Sequence, residues 1–124
     1  MSIRPPLDVF QNPCPHRDYL ITHVAREFTS LCPMTGQPDF GRLTLQYVPN
    51  EKCVELKSLK LYFQSFRSDG IFYEDVTNTI LNDLVSACSP KWMGLRSKWT
   101  VRGGIHSLID RQFGDRRVVE ILRY

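Results

Sequence analysis

The sequence predicts an α+β fold: an antiparallel four-stranded sheet with two helices on one face, in the order strand, strand, helix, helix, strand, strand. Three observations predict it. Residues 54–66 and 71–88 repeat apolar side chains every three or four positions, the spacing of one face of a helix. The stretches on either side alternate apolar and polar residues, the spacing of strands with one buried face. Helices and strands also keep to separate runs, where a parallel sheet would interleave them.

Residues 1–15 carry Pro5, Pro6, Pro13 and Pro15 and read as an irregular lead-in. Arg17–Phe28, rich in β-branched and aromatic residues, is the first strand, and a Pro/Gly-rich loop follows it. In Phe40–Val48, Leu43, Leu45 and Tyr47 face one way and Arg42, Thr44 and Gln46 the other. Pro49-Asn50-Glu51 turns the chain into the first helix, whose apolar stripe is Leu56, Leu59, Phe63 and Phe66; Ser68-Asp69-Gly70 ends it. The second helix spans about Ile71 to Cys88. There Phe72, Val76, Ile80, Leu84 and Cys88 recur every four residues, with Leu81 and Val85 widening the stripe. Ser89-Pro90 stops it. Met93, Leu95, Trp99 and Val101 then alternate with Arg96, Lys98 and Arg102, Gly103-Gly104 makes a tight turn, and Ile105–Phe113 returns as the partner strand. The tail, Arg116–Tyr124, fits a further strand or a short helix equally well.

A chain of 124 residues is expected to form one domain, 1–124. With 42% hydrophobic and 23% charged residues it has the composition of an ordinary globule. Its modest size limits the surface it can bury alone, which favours oligomerisation. The net charge of +3 suits a small anionic ligand better than nucleic acid, which calls for a denser basic patch. No apolar run approaches the roughly 20 residues of a membrane span, and residues 1–15 lack the apolar core of a signal peptide. Cys14, Cys32, Cys53 and Cys88 show no paired spacing, so reduced thiols in a cytoplasmic protein are expected. Cys14 and His16 lack the further ligands of a zinc site, and no metal is expected.

Three features carry chemistry. Lys57, Lys60 and Gln64 line a stripe beside the apolar face of the first helix, with Arg67 one step further. Such a stripe is either a solvated basic face or a phosphate clamp, with Ser58 as an added hydroxyl donor. The loop 31–40 holds a thiol, Cys32, and a carboxyl, Asp39, with two prolines and a glycine between them, a compact turn able to bring both side chains together. Alone, Cys32 reads as a small buried hydrophobe and Asp39 as a turn residue. Glu74 and Asp75 begin the second helix, where acidic residues complement the helix dipole.

Residues Glu55–Tyr62, ELKSLKLY, resemble the signature of the QueF family of nitrile reductases: Glu, Ser or Leu, Lys, Ser or Ala, an apolar residue, Lys, Leu or Tyr, then an aromatic. FTSLCPMTGQPDF resembles that family's catalytic loop, and the similarity extends from about Arg17 to Ile105. The resemblance implies that Cys32 is the nucleophile and Asp39 the proton donor. It implies that Glu74 grips the guanine-like edge of the substrate, a bidentate task for a carboxylate, and that Val54, Glu55 and Leu56 contact the base. Lys57, Ser58 and Lys60 are implied to hold NADPH, with Arg102 an extra phosphate contact. Tyr73 stands where the family commonly has His. A phenol titrates near pKa ~10 and an imidazole near ~6.5, so Tyr73 is expected to hydrogen-bond the substrate rather than shuttle protons.

The implied fold is the tunnelling fold, in which subunits join sheets edge to edge and active sites lie between subunits. The implied assembly is two stacked pentamers, and the implied reaction is NADPH-dependent reduction of 7-cyano-7-deazaguanine to 7-aminomethyl-7-deazaguanine, for the tRNA nucleoside queuosine. A related amidinotransferase acting on the nitrile in tRNA shares the catalytic loop but lacks the nicotinamide signature present here. A GTP cyclohydrolase of the same fold needs a zinc site that this sequence does not display. A non-catalytic binding module would not need Cys32 and Asp39 together.

Overall fold

The computed structural model describes residues 3–122. Its elements are β1 (Val9–Gln11), β2 (Ile21–Leu31), β3 (Pro38–Val48), β4 (Lys52–Val54), α1 (Leu56–Gln64), α2 (Tyr73–Cys88), β5 (Trp92–Trp99), β6 (Leu108–Gly114) and α3 (Arg116–Glu120). The principal sheet is four-stranded and antiparallel, in the order β2-β3-β5-β6. Alternation puts Leu43, Leu45 and Tyr47 of β3 and Met93, Leu95 and Trp99 of β5 on its buried face. They join Val76, Ile80, Leu81 and Leu84 of α2 and Leu59, Tyr62 and Phe66 from the α1 side in one core. The expected α+β architecture, the tunnelling-fold sheet with its helix pair on one face, is the one found.

The helices are held by different means. Phe72 gives α2 no side-chain cap, so that helix rests on packing, each fully buried Leu or Ile contributing about 1.5–3 kcal/mol. At α1 the Glu55 carboxylate accepts from the amides of Lys57 at 2.6 Å and Ser58 at 2.8 Å, capping a helix of only 9 residues.

Several expectations need correction. Residues 1–15 are not irregular throughout: β1 pairs with β4, a short strand just ahead of α1 that the turn at residues 49–51 had hidden. The first long strand begins at Ile21 rather than Arg17, because Asp18 is drawn to Lys91 at 2.6 Å and the Tyr19 hydroxyl to Asn12. It continues to Leu31, with a bulge between Ala25 and Phe28 that sets Arg26 and Glu27 against the single residue Arg42 and turns Phe28 into the core. The α1 stripe runs through Leu59, Tyr62 and Phe66, while Leu56 is 58% exposed. Phe72 is 55% exposed because α2 starts one residue later. Val101 lies beyond the end of β5 and is exposed. The tail forms the short helix α3, and residues 123–124 lie outside the described residues.

Candidate active site

The site begins where β2 ends. Cys32 opens a tight loop whose backbone closes on itself: the Cys32 amide donates to Gln37 and the Gly36 amide to the Cys32 carbonyl, both at 2.8 Å. Gly36 sits at φ +71°, a conformation that admits glycine without strain. The fold of the loop turns the amides of Met34 and Thr35 and the Thr35 hydroxyl onto the half-buried Cys32 sulfur. These hydrogen bonds hold the thiol below its ordinary pKa; burial and the Asp39 charge push the other way and lose. A second tie fixes the loop from outside. The Leu31 amide donates to Asp69 at 2.9 Å and the Ile71 amide returns to Leu31 at 3.0 Å, so the connection between α1 and α2 clasps the strand next to Cys32.

Asp39 lies in β3, on the core side of the sheet, opposite Ser30 and only 4% exposed. Its carboxylate meets the Arg102 guanidinium at 3.1 Å, and the same guanidinium nitrogen donates to the Pro38 carbonyl. The Arg102–Ile105 turn, built on positive-φ Gly103 and Gly104, delivers this arginine. Tyr73, the first residue of α2, stacks flat on Trp99 with ring centroids 4.0 Å apart and an interplanar angle of 9°. Burial, and then the Asp39 carboxylate that its hydroxyl reaches, raise the Tyr73 pKa. Tyr73 therefore stays protonated and donates to Asp39.

Behind this front lies a buried network that sequence reasoning missed. Trp99 Nε1 donates to Ser97 Oγ at 3.0 Å, Ser97 Oγ meets Thr77 Oγ1 at 2.7 Å, and Thr77 Oγ1 donates to the Tyr73 carbonyl at 2.7 Å. Trp99 and Tyr73 are thus fixed by one chain of bonds, and each polar atom in it is satisfied. Gly41 is required as glycine, since a Cβ there would sit 2.9 Å from the Trp99 ring. The Ser30 hydroxyl, across the ladder from Asp39, is buried with no hydrogen-bond partner among the described residues. Period-two alternation marked Trp99 as buried but carried no sign that it would receive Tyr73. Thr35 was visible only as part of the loop motif.

The other predicted site residues sit elsewhere. Glu74 is exposed next to Tyr73, with no ion pair among the described residues. Val54 is buried in the core and its amide donates to the Tyr47 hydroxyl at 3.0 Å. Since Asp39 and Tyr47 are eight steps apart on β3, the α1 N-terminus lies on the order of 26 Å along the strand from the acid. The Glu55 carboxylate is engaged as the cap of α1, and those amides hold its pKa below the ordinary range. Ser58 is 5% exposed; its hydroxyl accepts from the Asp8 amide at 2.9 Å and donates to the Glu55 carbonyl at 2.8 Å, so here it fastens β1 to α1.

Lys57 and Lys60 are exposed and have no carboxylate partner among the described residues. Beside Lys60, between α1 and β2, runs a groove of about 510 Å³ whose lining includes His23, Leu56, Phe63 and Arg67. Unpaired ammonium groups over an apolar floor suit a dinucleotide, phosphates on the cations and a ring in the groove. In contrast, Arg102 is committed to Asp39 in this chain. Among the described residues no group of three or more His, Cys, Asp or Glu side chains is placed to hold a metal ion. No helix among them is long and apolar enough to cross a membrane.

Comparison with known proteins fits this geometry. The family described as "QueF-like protein" matches residues 38–118. The chain is 56% identical over 108 residues to the NADPH-dependent 7-cyano-7-deazaguanine reductase of Rhodopirellula baltica, covering 87% of this chain and 89% of that one. It is 57% identical over 107 residues to the protein of that name from Chloroherpeton thalassium, covering 86% and 92%. Among solved structures, the apo archaeosine synthase QueF-Like superimposes with a TM-score of 0.72 at 20% identity, over 77% of this chain and 94% of that one, a likeness of fold. By its sequence matches and its fold, the chain belongs to the QueF family.

Proposed function

We propose that this chain is an NADPH-dependent nitrile reductase converting 7-cyano-7-deazaguanine to 7-aminomethyl-7-deazaguanine in the cytoplasm, as part of queuosine formation. The observation that carries the proposal is the Cys32 thiol, held below its ordinary pKa by Thr35 and Met34 beside the buried Asp39. A thiolate is the right nucleophile for a nitrile carbon. As the carbon–sulfur bond forms, the nitrile nitrogen gains a pair of electrons and needs a proton; the Asp39 carboxylate takes the proton that leaves the Cys32 thiol and passes it to that nitrogen, giving a thioimide. Tyr73 orients the Asp39 carboxyl through its hydrogen bond and is itself kept from turning by Trp99. Glu74, free of any ion pair among the described residues, accepts from the adjacent amino and ring N–H groups of the base. Bound NADPH would provide hydride, one per molecule and two in succession, enough to take the carbon from thioimide to imine, with the Cys32 thiolate leaving, and, with a further proton from solvent, from imine to amine.

Lys57 and Lys60 bind the phosphates. Of the base contacts, Val54 lies at the Tyr47 end of β3, with Glu55 and Leu56 next to it, away from Cys32, so one copy does not complete the site. A second copy of the chain brings its α1 to the Cys32 loop of the first, and closure of such contacts gives a ring, two stacked pentamers in the full assembly. Within that arrangement Arg102 contributes by holding Asp39, and its phosphate contact requires that grip to loosen. The test is NADPH oxidation followed by absorbance, with and without 7-cyano-7-deazaguanine. Oxidation strictly dependent on the nitrile is expected; none, with a folded protein, would refute the reading.

A further inference from the structure

The sheet face turned away from the helices carries a charge pattern that the reductase chemistry does not use. Arg42 of β3 and Lys98 of β5 are directly paired across the ladder, and Arg26, from the bulge in β2, continues the row on the other side. Like charges placed directly opposite on a sheet destabilise it. The same face shows the usual remedy one step along, where Arg96 is paired with Asp110 of β6 at 2.7 Å. Arg26, Arg42 and Lys98 have no such partner among the described residues. All three line a single open cavity of about 550 Å³, together with His106, Phe40 and Val101. His106 adds an imidazole, a hydrogen-bond donor even when neutral, and the exposed Phe40 and Val101 form an apolar wall beside the cations.

We propose that this trough is an anion site for the phosphate chain of a nucleotide, separate from the lysines of α1 and on the opposite face of the sheet from Asp39. Two guanidinium groups and an ammonium in one row present more donors than a single carboxylate accepts, and they match the several oxygens of a di- or triphosphate. Phe40 offers a flat apolar surface on which a base can stack. A carboxylate segment from a second copy of the chain is the competing occupant, and the experiment separates the two.

Pyrophosphate and tripolyphosphate are titrated into the full-length protein by calorimetry at low salt, alongside inorganic phosphate, with the variants Arg42→Gln and Lys98→Gln. Both positions are exposed, so the fold is expected to survive. The row predicts that tripolyphosphate binds more tightly than phosphate, and that each variant weakens it by roughly tenfold or more. It further predicts that each variant, free of ligand, melts at a higher temperature than the parent, because a like-charge pair has been removed. The Cys32 adduct with the nitrile substrate should form at the parent rate in both, which separates failure here from failure of the reductase reading. Equal tripolyphosphate affinity in parent and variants would overturn the proposal. So would variants that bind the oligophosphate normally but lose their assembly in sedimentation, for the row would then serve a neighbouring copy.

Discussion

The two ends of β3 differ in what they hold. At the Asp39 end, a thiol, a carboxyl, a phenol and a guanidinium converge, each fixed by its neighbours. At the Tyr47 end, Val54, Glu55 and Ser58 are spent on structure: a core contact, a helix cap and a tie to β1. Lys57 and Lys60 on α1 have no carboxylate partner among the described residues. The proposal gives bond making to the first end and contact with the base to the second. The proposed base contacts begin at Val54, at the opposite end of β3 from Asp39, which is why the proposal has copies cooperate.

The largest effects should come from the first end. Cys32→Ala should abolish turnover and the covalent adduct seen by mass spectrometry when the nitrile is given without NADPH. An adduct that persists, on Cys14, Cys53 or Cys88, would move the nucleophile elsewhere. Asp39→Asn should keep the fold and lose about 10²–10⁴-fold in turnover, the range of a general acid; near-normal turnover would remove Asp39 from the chemistry.

At the second end the effect is smaller and of another kind. Lys57→Ala and Lys60→Ala should each raise the Michaelis constant for NADPH by roughly ten- to a hundred-fold, since losing a charge-assisted contact costs about 1.5–3 kcal/mol. The Cys32 adduct should still form. Unchanged NADPH dependence would make the stripe a solvated face.

Two titrations sharpen the contrast. Hydrogen bonds from Thr35 lower the Cys32 pKa, so Thr35→Val should move the pH profile of Cys32 alkylation to higher pH; an unmoved profile would leave Thr35 without that role. Glu55 titrates below its ordinary value in the folded chain. Its cap therefore adds stability above the unfolded glutamate pKa of about 4.3, and that stability is lost as pH falls through the lower, folded value. Melting curves should show parent and Glu55→Gln converging as the pH drops through this window, and a constant gap would contradict the capping role.

Much of this was legible in the residues. Alternation in β3 and β5 and the four-residue repeat of α2 are strong periodic signals, because a face buried along its whole length leaves no freedom in the pattern. The shorter pieces were not legible. β1 and β4 hold three residues each, too few to show a period, and they exist because they pair with one another. The bulge that turns Phe28 inward while Arg26 stays outside breaks the alternation on which strand reading depends. In the site, Cys32 and Asp39 stood out through the resemblance of their loop to the family's catalytic loop, since taken alone they read as a buried hydrophobe and a turn residue. The stack of Tyr73 on Trp99 and the pairing of Arg102 with Asp39 join residues 26 and 63 positions apart, and no local pattern reports such a meeting.

The proposed cooperation of copies has a direct measurement. Cys32→Ala and the double variant Lys57→Ala/Lys60→Ala are each expected to be nearly inactive alone with limiting NADPH. They are mixed under conditions that dissociate and re-form the assembly, and nitrile-dependent NADPH oxidation is then followed. If the Cys32 loop of one copy works with the α1 of another, random mixing restores about one site in four with both parts intact. Activity should therefore return on mixing. If each chain carried its own complete site, every site would lack either the thiol or the lysines, and the mixture would stay as inactive as its parts.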